Sequence, residues 1–253
     1  MMTADILRRA VLDAGLDAPV VYDDVTESTN ATALTLAERG SPEWTIVAAG
    51  HQTGGRGRLG RTWESRPGSS LLFSVVLRPH LSPAGSLILT LAAGAAAAEA
   101  ATESSDADVR CKWPNDLVTG DGKVGGILLE SRVSSGRLLN LVVGVGINMD
   151  RPPSVEGAAA LGAADPGSVV TRFLVRYRAL VQGEADAIAE RVLARYRPLC
   201  TTLGRRVRAR TLSGGEVEGI AEDIDRSGSL LVRAGTTLES VAFGDVEHLR
   251  YRD

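Results

Sequence analysis

The run Gly55-Arg56-Gly57-Arg58-Leu59-Gly60 does most to limit the fold of this chain. It follows a strand-like stretch, Trp44 to Ala49, rich in β-branched residues. Its G-x-G-x-x-G spacing is that of a dinucleotide-binding turn, which has to open a helix. Here Arg61-Thr62-Trp63-Glu64-Ser65-Arg66-Pro67-Gly68 follows, polar and interrupted by proline, and leads into a second strand, Leu71 to Leu77. With no Gly-Lys-Ser/Thr the run is not a P-loop either. Elsewhere strand-like and helical segments fail to alternate regularly, which argues against a doubly wound sheet.

The wider segment Gly50 to Trp63 holds five glycines and three arginines. Glycine lets a ligand approach the main chain, and arginine offers a fixed fork of donors suited to carboxylate and phosphate. Bare arginines this close repel one another. The segment is therefore expected to be disordered alone and to order around an anion, with the ordering subtracted from the affinity. Trp63 beside them can stack on a base.

Before the loop, Ile6, Leu7, Ala10 and Val11 mark a short helix closed by Gly15, Val20 to Val25 a strand, and Ala31 to Arg39 a helix stopped by Gly40. Ser28-Thr29-Asn30 precedes that helix; such residues suit N-capping, and a helix start also presents free backbone donors to a ligand. After the loop, Ser82-Pro83 opens an alanine- and leucine-rich helix to about Thr102, with so few charges that it should be buried. Val109 to Trp113 is a short strand. Leu117-Val118 pairs with Val124 to Glu130 across Gly120-Asp121-Gly122, and Leu138 to Val145 is a further strand. Arg151 to Gly167, rich in Pro, Gly and Ala, reads as a mobile loop before helices Ser168 to Val181 and Glu184 to Arg197. From Arg205, alternating runs with Val207, Val217, Ile220, Ile224, Leu230, Val232, Leu238, Val241 and Phe243 indicate a small antiparallel β module. The boundary falls near Leu203-Gly204, dividing the chain into 1–203 and 204–253. The first part is α+β, a mixed sheet covered by helices on one face.

A net charge of −3 predicts no general attraction to nucleic acid or membrane, so any anion site comes from local clustering. The apolar stretch Leu87 to Ala101 is broken by Thr90, Gly94 and Glu99 and is not a membrane span. Cys111 and Cys200 make neither a disulfide framework nor a metal pattern, and no signal peptide is evident, so a cytoplasmic location is expected. Of 28 basic residues only Lys112 and Lys123 are lysine. Lysine is a compact point charge on a flexible stem, and these two lie in glycine-marked polar segments at strand ends. The first is Lys112-Trp113-Pro114-Asn115-Asp116, whose Asn115 and Asp116 serve equally as turn formers. The second is Lys123-Val124-Gly125-Gly126, in which Gly125-Gly126 lets something lie against the backbone. Gly144-Val145-Gly146-Ile147-Asn148 is a third such segment, and all are expected to converge on one pocket with the loop.

In this order, Ser28 to Asn30, Gln52 to Trp63, Lys112 to Asp116, Lys123 to Leu128 and Gly144 to Asn148 resemble the motif set of bacterial biotin protein ligases. The resemblance spans about residues 20–150 by motif and reaches the C-terminus less specifically. It implies a class II aminoacyl-tRNA synthetase-like catalytic domain with a small C-terminal SH3-like β-barrel. It implies a biotin–[acetyl-CoA-carboxylase] ligase using ATP with Mg2+, biotin, and the biotin carboxyl carrier domain of an acyl-CoA carboxylase. Biotin carboxylate attacks the α-phosphorus of Mg-ATP to give biotinyl-5′-adenylate and pyrophosphate; a carrier lysine then attacks the mixed anhydride and releases AMP. Carried over by motif, Lys123, Arg58 and Arg56 are catalytic, with Lys123 between the biotin carboxylate and the α-phosphate. Ser28, Thr29, Asn30, Gln52, Gly55, Arg56, Gly57, Arg58, Lys123 and Gly126 meet biotin or its adenylate. Arg58, Arg61, Trp63, Lys112, Asn115 and Asn148 meet ATP, Trp63 by covering the adenine, with Asp116 beside Asn115 at the ATP–magnesium edge. No side chain is assigned as a metal ligand. A lipoate or octanoate ligase or transferase of the related fold is the alternative. Some members carry an N-terminal winged helix and repress their own operon; here the motifs start near residue 28, so neither DNA binding nor repression is expected. A monomer or a weak ligand-dependent homodimer is expected. Leu59 stands where some members carry a basic residue, which leaves the loop less positive.

Overall fold

The structure is a computed structural model and describes residues 1–79, 83–120, 122–134, 137–152, 155–211, 215–242 and 244–249. Ser82, Asp121 and Phe243, each part of an expected element, lie outside the described residues.

The main sheet has seven strands: β1 (Val20–Asp23), β2 (Ile46–Ala49), β3 (Ser70–Leu77), β4 (Arg110–Lys112), β5 (Asp116–Thr119), β6 (Gly122–Ser134) and β7 (Arg137–Asn148). Their spatial order is β1-β2-β3-β7-β6-β5-β4. β1 and β2 run parallel and the other neighbours antiparallel, so the sheet is mixed as expected. A parallel pair needs a crossover, and α2 (Thr29–Glu38) supplies it.

Successive strand residues point to opposite faces, which sorts the central strands cleanly. Leu71, Phe73, Val75 and Leu77 of β3, with Leu141, Val143, Val145 and Ile147 of β7, enter the main core. There they meet α1 (Ala4–Asp13), α3 (Leu87–Glu103), α4 (Pro166–Val181) and α5 (Ala185–Tyr196). Leu72, Ser74 and Val76, opposite Gly146, Gly144 and Val142, point the other way. On that face Ala33, Leu34 and Ala37 of α2 pack against Val47, Val76 and Val142 in a small second cluster. The expectation of helices on one face is thus corrected: α2, placed by the crossover, lies on the opposite face. Its ten residues cover only part of that face.

The helix α3 is buried on nearly every side, as its lack of charge indicates. It begins at Leu87 after a 3-10 turn, Pro83–Ser86, rather than directly at Ser82-Pro83. Glu99 ties it to its neighbours through Arg176 of α4 (3.3 Å) and Arg195 of α5 (2.5 Å). α4 starts at Pro166, two residues earlier than its spacing suggests, because Asp165 caps it by accepting from Ser168 N at 2.7 Å. Parts of the segment before it hydrogen-bond to the main sheet. Lys123 N donates to Gly157 O (2.8 Å), Ala159 N to Lys123 O (2.8 Å) and Leu161 N to Asn148 O (2.9 Å).

The C-terminal strands β8 (Arg206–Thr211), β9 (Glu216–Ile224), β10 (Leu230–Ala234), β11 (Thr237–Val241) and β12 (Gly244–His248) form an antiparallel sheet in the order β11-β10-β9-β8-β12. Its inward residues, among them Val207, Ala221, Leu230 and Val232, belong to the same core cluster as the main sheet. Trp113 fastens the two sheets. It is 1% exposed, its Nε1 donates to Gly228 O (2.9 Å) and its main-chain N to Thr202 Oγ1 (3.0 Å). Trp113→Ala should therefore cost about 3–5 kcal/mol of stability in urea unfolding, and Trp113→Phe distinctly less. Equal, small effects would show that the indole is not the fastening.

Candidate functional site

A cavity occupies the part of the sheet face that α2 leaves uncovered, between β3, β6 and β7 below and the glycine–arginine segment above. Its floor is set by register. Gly146 lies opposite Leu72 on one side and Gly126 on the other, and Gly144 opposite Ser74 and Leu128. A Cβ on Gly144 would stand 2.2 Å from Asn30 Oδ1, and one on Gly146 3.0 Å from Trp63 Cε2. These two glycines make room for neighbouring side chains. Gly126 is less crowded: a Cβ there would meet Lys123 Cε at 3.6 Å, Lys123 Nζ at 3.7 Å and Trp63 Cζ3 at 3.7 Å, all ordinary contacts. Gly125 faces the opposite way, where a Cβ would be 2.7 Å from Gly146 O.

The polar end is built by the start of α2. Ser28 caps the helix, with Ala31 N 3.5 Å from its Oγ, so the capping reading holds for this residue. Thr29 N and Oγ1 both donate to Gln52 Oε1 (2.8 and 3.0 Å). Ser74 Oγ lies 2.6 Å from Asn30 Oδ1 and 2.8 Å from Thr29 Oγ1. Asn30 Nδ2 donates to Leu128 O (3.1 Å) and to Glu130 Oε2 (2.8 Å).

The covering segment is a hairpin, closed by Gly57 N to Arg61 O (2.7 Å) and Trp63 N to Gly55 O (2.9 Å). Two of its arginines find acceptors in the protein. Arg56 Nη1 pairs with Glu130 Oε1 at 3.2 Å, and Arg58 Nη1 donates to Asn115 Oδ1 at 3.1 Å. Burial pushes the Arg58 guanidinium below its ordinary pKa; the Asp116 charge opposes this and Arg61 adds to it. A cation stripped of water in this way gains more from a bound anion than an exposed one does. Leu59 sits at the tip with φ 56° and is 56% exposed.

At the far end Lys123 Nζ meets Asp116 Oδ1 at 2.6 Å, and Asn115 Nδ2 donates to Ile127 O at 3.0 Å. The indole of Trp63 lies along Gly126 and Gly146, and its buried Nε1 has no hydrogen-bond partner among the described residues. Of the residues expected at the site, Ser28, Thr29, Asn30, Gln52, Arg56, Gly57, Arg58, Arg61, Trp63, Asn115, Asp116, Lys123 and Gly126 line this cavity.

Three expected residues do not line it. Gly55 is buried within the hairpin itself, where a Cβ would be 2.5 Å from Trp63 O. Asn148 is buried and donates to Ala159 O at 3.0 Å. Lys112 lies beside the C-terminal sheet, where its charge, after burial itself, helps hold His248 at a pKa of about 4. Ser74 and Glu130 were missed. Ser74 is the single hydroxyl inside the apolar run Leu71 to Leu77, and Glu130 the first carboxylate after Ile127 to Leu129; neither position carries a spacing signal. Among the described residues no group of three or more His, Cys, Asp or Glu forms a metal site.

The result is a slot with neutral hydrogen-bonding groups at one end, Leu72 and Leu128 along it, and guanidinium and ammonium groups at the other. It suits a molecule with a polar uncharged head and an anionic tail, beside a second anion.

The biotin/lipoate A/B protein ligase family matches residues 22–148, and the biotin protein ligase C terminal domain matches residues 202–249. The chain is similar to the biotin–[acetyl-CoA-carboxylase] ligase of Mycobacterium tuberculosis, 35% identical over 236 residues, 89% of this chain and 87% of that one. It is also similar to the enzyme of that name from Paracoccus denitrificans, 36% identical over 233 residues, 82% and 91% of the two chains. A mutant biotin protein ligase from Aquifex aeolicus solved in complex with biotin superposes with a TM-score of 0.73 at 25% identity, over 93% of this chain and 100% of that one.

The floor register makes an internal contrast. Gly144→Ala should lower stability by about 1–3 kcal/mol, because Asn30 has to move, whereas Gly126→Ala should stay within about 1 kcal/mol of wild type in the same urea titration. Reversed sensitivities would mean that the glycines do not serve these side chains.

Proposed function

The chain belongs to the biotin/lipoate A/B protein ligase family, and we infer from that premise and from its site that it is a biotin protein ligase. It activates biotin with Mg-ATP to biotinyl-5′-adenylate and transfers biotin to a lysine of a biotin carboxyl carrier domain. The observation that carries this reading is the pairing of a neutral polar end at Thr29 and Gln52 with a cationic end at Arg58 and Lys123 in one slot. A lipoyl or octanoyl chain has no ureido group for the polar end to recognise.

In the first step a carboxylate oxygen of biotin bonds to the α-phosphorus, the bond to the bridging oxygen breaks, and pyrophosphate leaves. Two anions have to approach, so positive charge fixed beforehand lowers the barrier most. Lys123, aimed by Asp116, is the residue we assign to that charge, with Arg58 above it. In the second step the carrier amine bonds to the acyl carbon and AMP leaves with the bonding electrons. Thr29 and Gln52 are assigned to the ureido end, Arg56 and Arg58 to closing over biotin and its adenylate, Arg61 to phosphate, and Trp63 to the adenine. Asn115 and Asp116 are assigned to the edge where Mg-ATP enters. Magnesium comes as the nucleotide complex, since Asp116, the carboxylate lining that end among the described residues, is already paired with Lys123.

We read 1–203 as the catalytic domain and 204–253 as an SH3-like barrel, supported by the five-stranded antiparallel sheet at that end. The partner is the carrier domain of an acetyl-CoA carboxylase, and the cytoplasm, where that domain and ATP meet, is the compartment we assign. No helix among the described residues is long and apolar enough to cross a membrane.

With biotin and Mg-ATP the protein should release pyrophosphate, and with a carrier domain added its intact mass should rise by one biotinyl group. Release with lipoate alone would overturn the assignment. Lys123→Ala should slow adenylate formation by about 10²–10³ with the unfolding midpoint unchanged, as for loss of a preorganised electrostatic group. Near-normal single-turnover rates would remove Lys123 from the first step.

A further inference from the structure

Glu130 is the one carboxylate on the cavity face of β6, in register with Leu128 and Gly126, and neither the motif set nor the assignments above use it. Its two oxygens face different partners. Oε2 accepts from Asn30 Nδ2 at 2.8 Å, and Oε1 meets Arg56 Nη1 at 3.2 Å. Asn30 is 3% exposed, and its other amide atom is held by Ser74 at 2.6 Å. Glu130 is therefore a rigid arm: one oxygen is fixed to the buried start of α2 and the other reaches up to the hairpin. The Glu130 side chain is 24% exposed and that of Arg56 47%, so the pair stands at the rim where hairpin and floor meet.

We propose that Glu130 is a positioning residue for this reaction: it pins Arg56 at the rim and so holds the hairpin shut over the adenylate. The proposal rests on the reading of the site as an adenylate-forming slot, and it goes beyond that reading by dividing the work of the two arginines. Arg58 reaches Asn115, next to the pair formed by Asp116 and Lys123, and faces the anion. Arg56 is anchored to the protein at the opposite end. Anchoring at both ends fixes a hairpin that glycine would otherwise leave free, and a neutralised Arg56 no longer repels Arg58. The carboxylate thus stabilises the closed arrangement without touching a reacting atom. Its charge also keeps Arg56 from following a departing anion.

Glu130→Gln separates the two contacts, because the amide oxygen can still accept from Asn30 while the charge on Arg56 goes unanswered. Preformed biotinyl-adenylate should leave this variant about three- to five-fold faster than wild type, the scale of a half-exposed ion pair. The rate of adenylate formation at saturating biotin and Mg-ATP and the unfolding midpoint should stay near wild type. Glu130→Asp should recover part of the retention. In an Arg56→Ala background Glu130→Gln should add nothing further. An undiminished Glu130→Gln effect in that background, or release at the wild-type rate in the single variant, overturns the proposal.

Hydrogen exchange of residues 54–66 in the ligand-free protein gives an arm that needs no catalysis. Glu130→Gln should speed exchange there, and should not do so when Arg56 is already alanine. If wild-type protein makes no adenylate from biotin, the function assignment fails while this arm still decides the latch. If adenylate forms but exchange and release are both unchanged by Glu130→Gln, the latch alone fails.

Discussion

The site depends on a helix that is too short for its sheet. α2 has ten residues and packs through Ala33, Leu34 and Ala37, so it covers β2, β3 and the near end of β7 and stops. The floor beyond it presents Leu72 and Ser74 from β3 and the glycines Gly144 and Gly146 from β7, apolar along its length and otherwise small or polar. An uncovered strip of apolar sheet would be an aggregation risk or a patch awaiting a partner. This strip is instead roofed by the hairpin. The N-terminus of α2 ends at the edge of the strip, and its buried Thr29 and Asn30 are aimed into it by the same packing that holds the helix down. Helix length, strand register and polar head of the cavity are thus consequences of a single crossover.

The roof raises an electrostatic problem, since arginines brought over a half-buried slot lose water and repel each other. The structure distributes them. Arg56 goes to a carboxylate at one rim and Arg58 to a neutral amide at the other. The difference has a chemical meaning. A carboxylate satisfies a guanidinium charge, while an amide oxygen supplies only a hydrogen bond and leaves the charge available. Arg58, whose pKa is depressed by burial, is the one left with unspent attraction for an anion.

Much of the fold was legible because the chain patterns its elements strongly. Strand runs, the buried α3, the β module and the mixed sheet all follow from period and turn residues. The placement of α2 on the second face was not legible, because Ala33, Leu34 and Ala37 specify a buried stripe without saying which side of a sheet buries it. The site motifs were found, but not the way they divide. Gly144 and Gly146 were expected only to converge on the pocket with the loop, as they do, but the pattern did not say that their missing side chains make room for Asn30 and Trp63. Ser74 and Glu130 were overlooked because one serine in a strand, or one glutamate at the end of an apolar run, carries no spacing signal. Their role appears only when antiparallel pairing sets them beside Asn30, whose position is separated from theirs by 44 and 100 residues.

The scarcity of lysine can now be weighed against geometry. Both lysines lie in motif segments, yet only Lys123 lines the cavity, held at 2.6 Å by Asp116. Lys112, on the edge strand β4, lies outside the cavity, near enough to His248 for its charge to be felt there. The two environments separate the uses of an ammonium group. At Lys123 a single carboxylate aims a flexible stem at one point in a slot, leaving donors over for a ligand; a planar guanidinium against Asp116 would fill both carboxylate oxygens in a bidentate pair and lie flat. Burial, with the Lys112 charge adding to it, lowers the pKa of His248, and a neutral imidazole can accept at Nε2 from Thr202, whose hydroxyl oxygen in turn accepts from Trp113 N. That chain runs from the C-terminal sheet into the Lys112 to Asp116 turn. Lys112 thus lies outside the cavity, while Lys123 lines it.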